Sequence, residues 1–185
     1  MIKPGDKVRL AKKAYEWGHY YQSHKRCCSQ STVAAMMETL DFKDEGVFKA
    51  STSLAAGGAM FGDSSCGAYV GGLLIIGLLR GRPMDNFIVE ETDRFRSFEV
   101  GRALHKRFIK EYGTVICRDI MTKLCGRPFW LTDPDEYNKA EEAGLHTTMS
   151  PCVVGNAAKW TTEVIFDENL LDELNQLRKK YTRRL

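Results

Sequence analysis

The residues of this sequence best suited to chemistry are its six cysteines: Cys27, Cys28, Cys66, Cys117, Cys125 and Cys152. None of them forms a C-x-x-C pair or belongs to a C-x-x-C-H motif, so the spacing is not that of a zinc ribbon, a thioredoxin-like active site or a covalent haem site. Thiolates ligate zinc and iron–sulfur clusters, and they are the nucleophiles of thiol–disulfide exchange. The cysteines therefore predict metal binding or redox chemistry, and spacing alone does not choose between the two.

Four of the cysteines lie where the sequence predicts that helices begin. Ser150 and Pro151, for example, are typical residues for the start of a helix and come directly before Cys152. A helix N-terminus carries about half a positive charge and free amide donors, which predicts a lowered thiol pKa and a thiolate ready to bind a metal. Packing in the core is the alternative for each cysteine taken singly. The four are Cys28, Cys66, Cys117 and Cys152.

Glycine is concentrated around one of these cysteines. Eight of the 16 glycines lie between Gly57 and Gly81, in the stretch AGGAMFGDSSCGAYVGGLLIIGLLRG. Glycine weakens an ordinary helix by about 0.5–1 kcal/mol relative to alanine, so its retention here indicates a close approach of the backbone to another group. That group is a bound cofactor, a neighbouring helix, or both. Gly67 and Gly71, one turn apart on one face, are the candidate residues for lining a cofactor.

The elements that position these residues are predicted to be helices. Apolar residues recur at helical spacing, and no segment alternates long enough to predict a strand. The sequence therefore predicts an all-α fold, a single compact domain of several helices around a buried glycine-rich central helix. We divide it into an N-terminal helical extension (1–21), a four-cysteine redox domain (22–166), and a C-terminal helix with a basic tail (167–185). The expected helices are Asp6–Tyr21, Cys28–Leu40, Asp44–Gly57, Met84–Tyr112, Thr114–Leu124, Asp133–Ala143, Pro151–Phe166 and one from Asp167.

The cysteines and their surroundings resemble a known family. The segment CGAYVG, from Cys66 to Gly71, matches the CGAxxG motif of the redox-active proteins named for their C-GCAxxG-C-C pattern. The other cysteines follow the same order in Cys28 with SQSTVAAMMETL, Cys117 in GTVICRDI, and Cys152 in CVVGNAAKWTTEVI. The resemblance covers about Gln22 to Phe166 and implies an all-helical domain whose four cysteines act together in redox chemistry. A related helical domain looks like the iron–sulfur part of split-Soret-type cytochromes.

The leading hypothesis is that Cys28, Cys66, Cys117 and Cys152 bind an iron–sulfur cluster. A binuclear cluster is expected, because four thiolates complete its ligand set, and its role would be electron transfer with a partner oxidoreductase. A thiol–disulfide protein using the same cysteines, or a structural zinc site, are the alternatives. Cys27 and Cys125 are additional cysteines that would substitute in the ligand set, serve as resolving thiols or pack in the core. No catalytic residue is predicted.

The net charge and the apolar segments limit which kinds of partner and which cellular compartment the sequence predicts. The formal charge is +3, from 27 basic and 24 acidic residues, which is too small an excess to predict nucleic-acid binding. The start of the chain has no apolar segment typical of a secretory signal, and the longest apolar stretch has 14 residues, fewer than a spanning helix needs. We expect a cytoplasmic protein without membrane insertion. The aromatic residues Trp17, Tyr20 and Tyr21 predict either a homodimer surface or a position in the core.

Overall fold

The computed structural model describes residues 1–88 and 93–182, and over these residues the chain is all-α, as predicted. Short 3₁₀ turns lie at Pro4–Asp6, Thr52–Leu54 and Met84–Asn86, and a π-helical turn lies at Leu145–Met149. The described α-helices are α1 (Lys7–Lys25), α2 (Cys28–Leu40), α3 (Glu45–Ala50), α4 (Gly67–Arg80), α5 (Asp93–Tyr112), α6 (Cys117–Cys125), α7 (Pro134–Glu142), α8 (Ser150–Asp167) and α9 (Leu171–Thr182).

Helix α4 is the buried glycine-rich central helix that the sequence predicts. It packs against α2, α5 and α8, and most of its residues are buried. The glycines make these contacts possible: a Cβ on Gly71 would lie 2.7 Å from the Ser29 carbonyl oxygen on α2, and one on Gly72 would lie 2.5 Å from Thr161 Oγ1 on α8. A Cβ atom essentially never lies this close to a non-bonded oxygen, so the glycines let the helix backbones approach closely.

Helix α1 packs along α8 over much of its length. A Cβ on Gly18 would lie 2.9 Å from the Val154 carbonyl oxygen, and one on Gly155 would lie 2.9 Å from the ring of Tyr15. Leu10 and Ala14 belong to the main hydrophobic core. Most of the segment assigned to an N-terminal extension therefore packs on the helix that carries Cys152. The division at residue 21 remains a prediction.

The predicted helix Asp44–Gly57 is too long. Helix α3 ends at Ala50, a 3₁₀ turn follows, and the chain then enters a segment in which six of the seven residues from 56 to 62 have positive φ. Three of these six are glycines, which adopt left-handed backbone at little cost. The glycine cluster before Cys66 therefore belongs to an irregular loop, and we name residues 55–65 the covering loop.

Within the predicted helix Met84–Tyr112, the sequence predicts an inward face formed by Ile88, Phe95, Phe98, Phe108 and Ile109, and this prediction is largely wrong. Residues 89–92 lie outside the described residues, and α5 begins at Asp93. Its buried positions are Val100, Leu104, Phe108 and Tyr112, which follow one another every four residues and pack on α4 and α8. Of the predicted inward residues only Phe108 is buried. Those exposed to solvent are Ile88, Phe95, Phe98 and Ile109.

Among the helices of residues 1–88 and 93–182, none has both the length and the apolar character that crossing a bilayer requires.

Candidate functional site

Three of the predicted cysteines meet at one cavity. Cys28 is the first residue of α2, Cys66 directly precedes α4, and Cys117 is the first residue of α6. Cys66 and Cys117 are buried, Cys28 is partly buried, and all three line a cavity of about 340 Å³. We name it the thiol cavity. Its remaining wall is mostly apolar and includes Ile120 and Val154.

Backbone hydrogen bonds between the segment that precedes α4 and the segment that precedes α6 hold Cys66 and Cys117 beside each other. Ser65 and Ile116 form an isolated antiparallel bridge, the Cys66 amide donates to the Val115 carbonyl at 2.7 Å, and the Cys117 amide donates to the Ser64 carbonyl at 2.9 Å. The two cysteines are 51 positions apart in sequence, and this short pairing fixes their relative position.

The glycines beside the cavity leave room for the sulfur atoms. A Cβ on Gly67 would lie 2.5 Å from Cys28 Sγ, and one on Gly57 would lie 2.8 Å from Cys117 Cβ. The Ala56 amide donates to Cys28 Sγ at 3.4 Å, so the covering loop both bonds and encloses this thiol. Neither of the two predicted glycines lines the cavity itself: Gly67 packs directly against Cys28 Sγ, while Gly71 packs on the α2 backbone at Ser29.

The fourth predicted cysteine lies elsewhere. Cys152 is in the first turn of α8, as predicted, but it does not line the cavity, and its side chain lies beside that of Tyr15 on α1. Cys125 is also away from the cavity, with its Sγ 3.0 Å from Met149 Sδ. The cysteine that does line the cavity beside the other three is Cys27, which directly precedes Cys28.

A search against family models supplies one match. Residues 26–164 match the family described as "Putative redox-active protein (C_GCAxxG_C_C)". The chain belongs to this family. The resemblance inferred from the cysteine motifs is thereby confirmed, and the matched range contains all six cysteines of the chain. No curated protein and no solved structure matches the chain.

The expectation that helix N-termini lower the pKa of the family cysteines is wrong for the three in the cavity. Burial raises the pKa of the Cys66 thiol to about 12, and it raises the pKa of the Cys28 and Cys117 thiols. Backbone hydrogen bonds at Cys28 and Cys66 act in the opposite direction but do not offset the loss of water. In the absence of a metal these three thiols are protonated at neutral pH.

At the start of two helices the amide donors are already occupied. The Cys117 and Arg118 amides, the first two of α6, donate to the Ser64 and Gly62 carbonyls. Helix α8 continues directly from the π-helical turn, and its Ser150 amide donates to the Leu145 carbonyl. An occupied N–H group has less to offer a nearby thiolate. The sequence predicts the start of α8 to within one residue and that of α6 three residues too early, and it does not show which carbonyls accept hydrogen bonds from these helix starts.

Charged and polar side chains also reach the thiol cavity. Arg26 donates to Glu141 at 3.1 Å, and Glu141 also bonds to Nδ1 of His146; Arg26 and His146 both line the cavity. Among the residues that the structure describes, Arg26 Nη1 is buried and has no hydrogen-bond partner. Gln22, which is 2% exposed, lines the same cavity and donates to Ser150 Oγ at 2.6 Å. Its Oε1 is buried and finds no partner within the described ranges 1–88 and 93–182.

The residues at the cavity fit a thiolate-bound group. Sulfur donors, a glycine in contact with one of the sulfurs, and an unsatisfied cationic donor are features that anionic metal–thiolate groups use. The volume is about ten times the roughly 30 Å³ that one water molecule occupies in the liquid, which suits a polyatomic group. Within the part of the chain that the structure describes, no three His, Cys, Asp or Glu side chains are grouped closely enough to hold a metal ion. Ligation therefore requires the thiols to turn towards one another.

Sequence reasoning missed the charged residues of the site. Arg26 and Glu141 are 115 positions apart, and neither belongs to a motif that pairs them. Cys27 carried one signal, its position next to Cys28, but this does not distinguish a second ligand from a surface thiol. The structure supplies the missing information by placing both neighbours on the same cavity.

Proposed function

We propose that this chain is a small redox protein that holds a binuclear iron–sulfur cluster in the thiol cavity and exchanges electrons with a partner oxidoreductase. The observation that carries the proposal is the meeting of Cys28, Cys66 and Cys117, from three separate helix starts, on one apolar cavity of about 340 Å³. These three supply ligands. The fourth thiolate required by a binuclear cluster comes from Cys152, as the family pattern suggests, or from Cys27.

The chain's own residues would do three things for such a group. The covering loop and α4 exclude water, because Gly57 and Gly67 allow the backbone to pack directly on Cys117 and Cys28. The Ala56 amide, already bonded to Cys28 Sγ, stabilises negative charge on that sulfur. The Arg26 guanidinium, anchored by Glu141, brings a positive charge to the cavity. When bound, the cluster supplies reversible one-electron chemistry.

The test is a visible absorption spectrum of anaerobically purified protein, with iron, sulfide and zinc analysis. We expect a brown protein that contains iron and labile sulfide and is bleached by dithionite. The matched variants are Cys66→Ser, expected to lose the chromophore, and Cys125→Ser, expected to retain it because Cys125 does not line the cavity. A colourless protein that also fails to take up iron and sulfide on reconstitution would refute the proposal.

A thiol–disulfide protein is the second candidate. The observation in its favour is that all six cysteines are free thiols while Cys66 and Cys117 flank one backbone bridge. Thiols counted after mild oxidation of the metal-free protein would fall in pairs if this were the function. Zinc in stoichiometric amount without visible absorbance would instead identify a structural zinc site.

A further inference from the structure

The structure brings four cysteines to one cavity, but not the four that the family pattern names. Cys27 lines the thiol cavity with Cys28, Cys66 and Cys117, whereas Cys152 does not. We propose that Cys27 supplies the fourth thiolate of this site in place of Cys152. The inference rests on the proposed function, because it names the ligand set of the same cluster.

The backbone before α2 explains how two adjacent cysteines reach one cavity. Neighbouring side chains on a regular helix point about 100° apart, so both would not normally face the same space. Arg26 and Cys27 instead have φ of 63° and 62°, a left-handed conformation that non-glycine residues adopt rarely. This turn brings both residues to the cavity wall beside Cys28. Strained backbone of this kind concentrates at functional sites.

The Cys27 thiol would give up only weak contacts by turning towards a cluster in the cavity. It donates to the Thr52 carbonyl at 3.6 Å and lies 3.9 Å from Ser29 Oγ, both long contacts for a weak donor. On ligation the Sγ–H bond breaks, its proton passes to solvent and an Sγ–Fe bond forms, with no change of oxidation state. The iron and the sulfide are supplied from outside the chain.

Cys152 has contacts that hold it on another face of α8. Its side chain lies beside that of Tyr15 on α1, while the next two residues, Val153 and Val154, line the cavity. Gly155 packs directly against Tyr15, so this face of α8 is closed by α1. Ligation by Cys152 would require it to leave Tyr15 and turn past the valines.

Single substitutions in the full chain separate the two ligand sets. We expect Cys27→Ser to lose most of its iron after anaerobic reconstitution, and any cluster that remains to show a changed electron paramagnetic resonance spectrum because oxygen replaces sulfur. We expect Cys152→Ser to load iron and sulfide as the unmodified protein does. Cys125→Ser is the matched control, and circular dichroism of each metal-free variant verifies folding. A Cys27→Ser variant with normal iron and an unchanged spectrum overturns the inference.

A second measurement needs no substitution. Iodoacetamide labelling, read at each cysteine by peptide mass spectrometry, compares the reconstituted protein with the metal-free protein. Ligation removes the free thiolate that reacts, so we expect labelling of Cys27 to slow by at least about tenfold on loading, with little change at Cys152. Protection of Cys152 with Cys27 unchanged would overturn the inference and leave the proposed function intact. Absence of iron and sulfide from the unmodified protein would instead overturn the proposed function.

Discussion

Arg26 lines the thiol cavity, and its Nη1 is buried there with no hydrogen-bond partner in the described part of the chain. Among the described residues that line the cavity, no other cationic side chain has such a buried, unpaired donor. A positive charge near a cluster stabilises the reduced form, which carries the more negative charge. We therefore expect Arg26→Gln to lower the reduction potential by an amount on the order of tens of millivolts, and Arg26→Lys to lower it less. The measurement is a potentiometric titration followed by visible absorbance. Arg102→Gln, on the exposed side of α5, is the control. An unchanged reduction potential in Arg26→Gln would show that the guanidinium does not act on the cluster and serves only to link the end of α1 to α7 through Glu141.

Two glycines of α4 offer a matched test of space at the site. A Cβ on Gly67 would lie 2.5 Å from Cys28 Sγ and 3.0 Å from the Ala55 backbone, whereas one on Gly77 would meet nothing within 4 Å. We expect Gly67→Ala to lower the free energy of unfolding by about 1–3 kcal/mol and to reduce iron uptake, because the sulfur and the covering loop must move. Gly77→Ala should raise it by about 0.5–1 kcal/mol through helix propensity. Urea unfolding measures the change in stability, and iron analysis measures the change in iron uptake. The same stability and iron content in the two variants would contradict the close packing of Gly67 against Cys28 and the covering loop.

At the scale of elements, local signals and distant contacts differ in what they reveal. The sequence predicts α2 at its observed bounds, because its apolar spacing and its end at Leu40 are local features. The sequence-based prediction fails for the segment after Ala50, which is expected to be helical. There the backbone is left-handed, and it packs against Cys117 and Arg118, which lie more than 50 residues further along the chain. The prediction also fails for the inward face of α5, since the aromatic residues Phe95 and Phe98 are apolar but exposed. Periodicity predicts that a helix exists more securely than which side it buries.

The short helix α3 depends on its N-cap. The Asp44 carboxylate accepts from the Val47 amide at 2.9 Å and from the Tyr181 hydroxyl on α9. We expect Asp44→Ala to cost about 1 kcal/mol of stability, and Asp44→Asn to cost less because asparagine also caps helices. Thermal unfolding followed by circular dichroism measures both. The same loss in the two variants would show that the charge matters more than the cap.

The charge of Asp44 adds a pH dependence to the same contact. Burial acts to raise the pKa of this carboxyl, but hydrogen bonds from Tyr181 and Val47 outweigh it and the pKa is lowered. A lowered folded-state pKa gives stability that is present above the unfolded value of about 3.9 and is lost as the pH falls through the folded value. The stability difference between the unmodified protein and Asp44→Asn should therefore shrink below about pH 4. Unfolding at a series of pH values tests this, and a difference that grows on acidification would contradict it.

On the scale of the whole molecule, the thiol cavity is assembled from segments that are distant in sequence. Gln22 and Arg26 come from α1 and its end, Cys117 from α6, and His146 from the π-helical turn. The family motifs identified three of the cysteines that meet there. A motif can do this because it marks residues that share a site, even when the contacts between them are not predicted. The ion pair of Arg26 with Glu141 and the position of Cys152 against α1 depend on tertiary packing alone. No local pattern could have predicted them.

The packing of α1 on α8 decides whether the first 21 residues are an extension or part of the structure that holds the site. A Cβ on Gly18 would lie 2.9 Å from the Val154 carbonyl oxygen, and Val154 itself lines the thiol cavity. Helix propensity alone favours Gly18→Ala by about 0.5–1 kcal/mol, whereas the close contact opposes it by about 1–3 kcal/mol, so we expect a net loss of stability. Because α8 must shift, iron uptake should fall as well. Gly5→Ala, where a Cβ would meet nothing within 4 Å, is the control and should leave both unchanged.

The two readouts for Gly18→Ala are urea unfolding, monitored by both tryptophan fluorescence and circular dichroism, and iron content after reconstitution. Trp17 lies on α1 and Trp160 on α8, so fluorescence reports on both partners of the contact. Coincident transitions in the two signals would indicate that α1 unfolds together with the rest of the molecule. An early fluorescence transition with normal iron content would instead identify α1 as a separable extension. In that case residues 1–21 would not be needed for the shape of the cavity, and α1 would contribute to it only through Gln22 and Arg26 at its end.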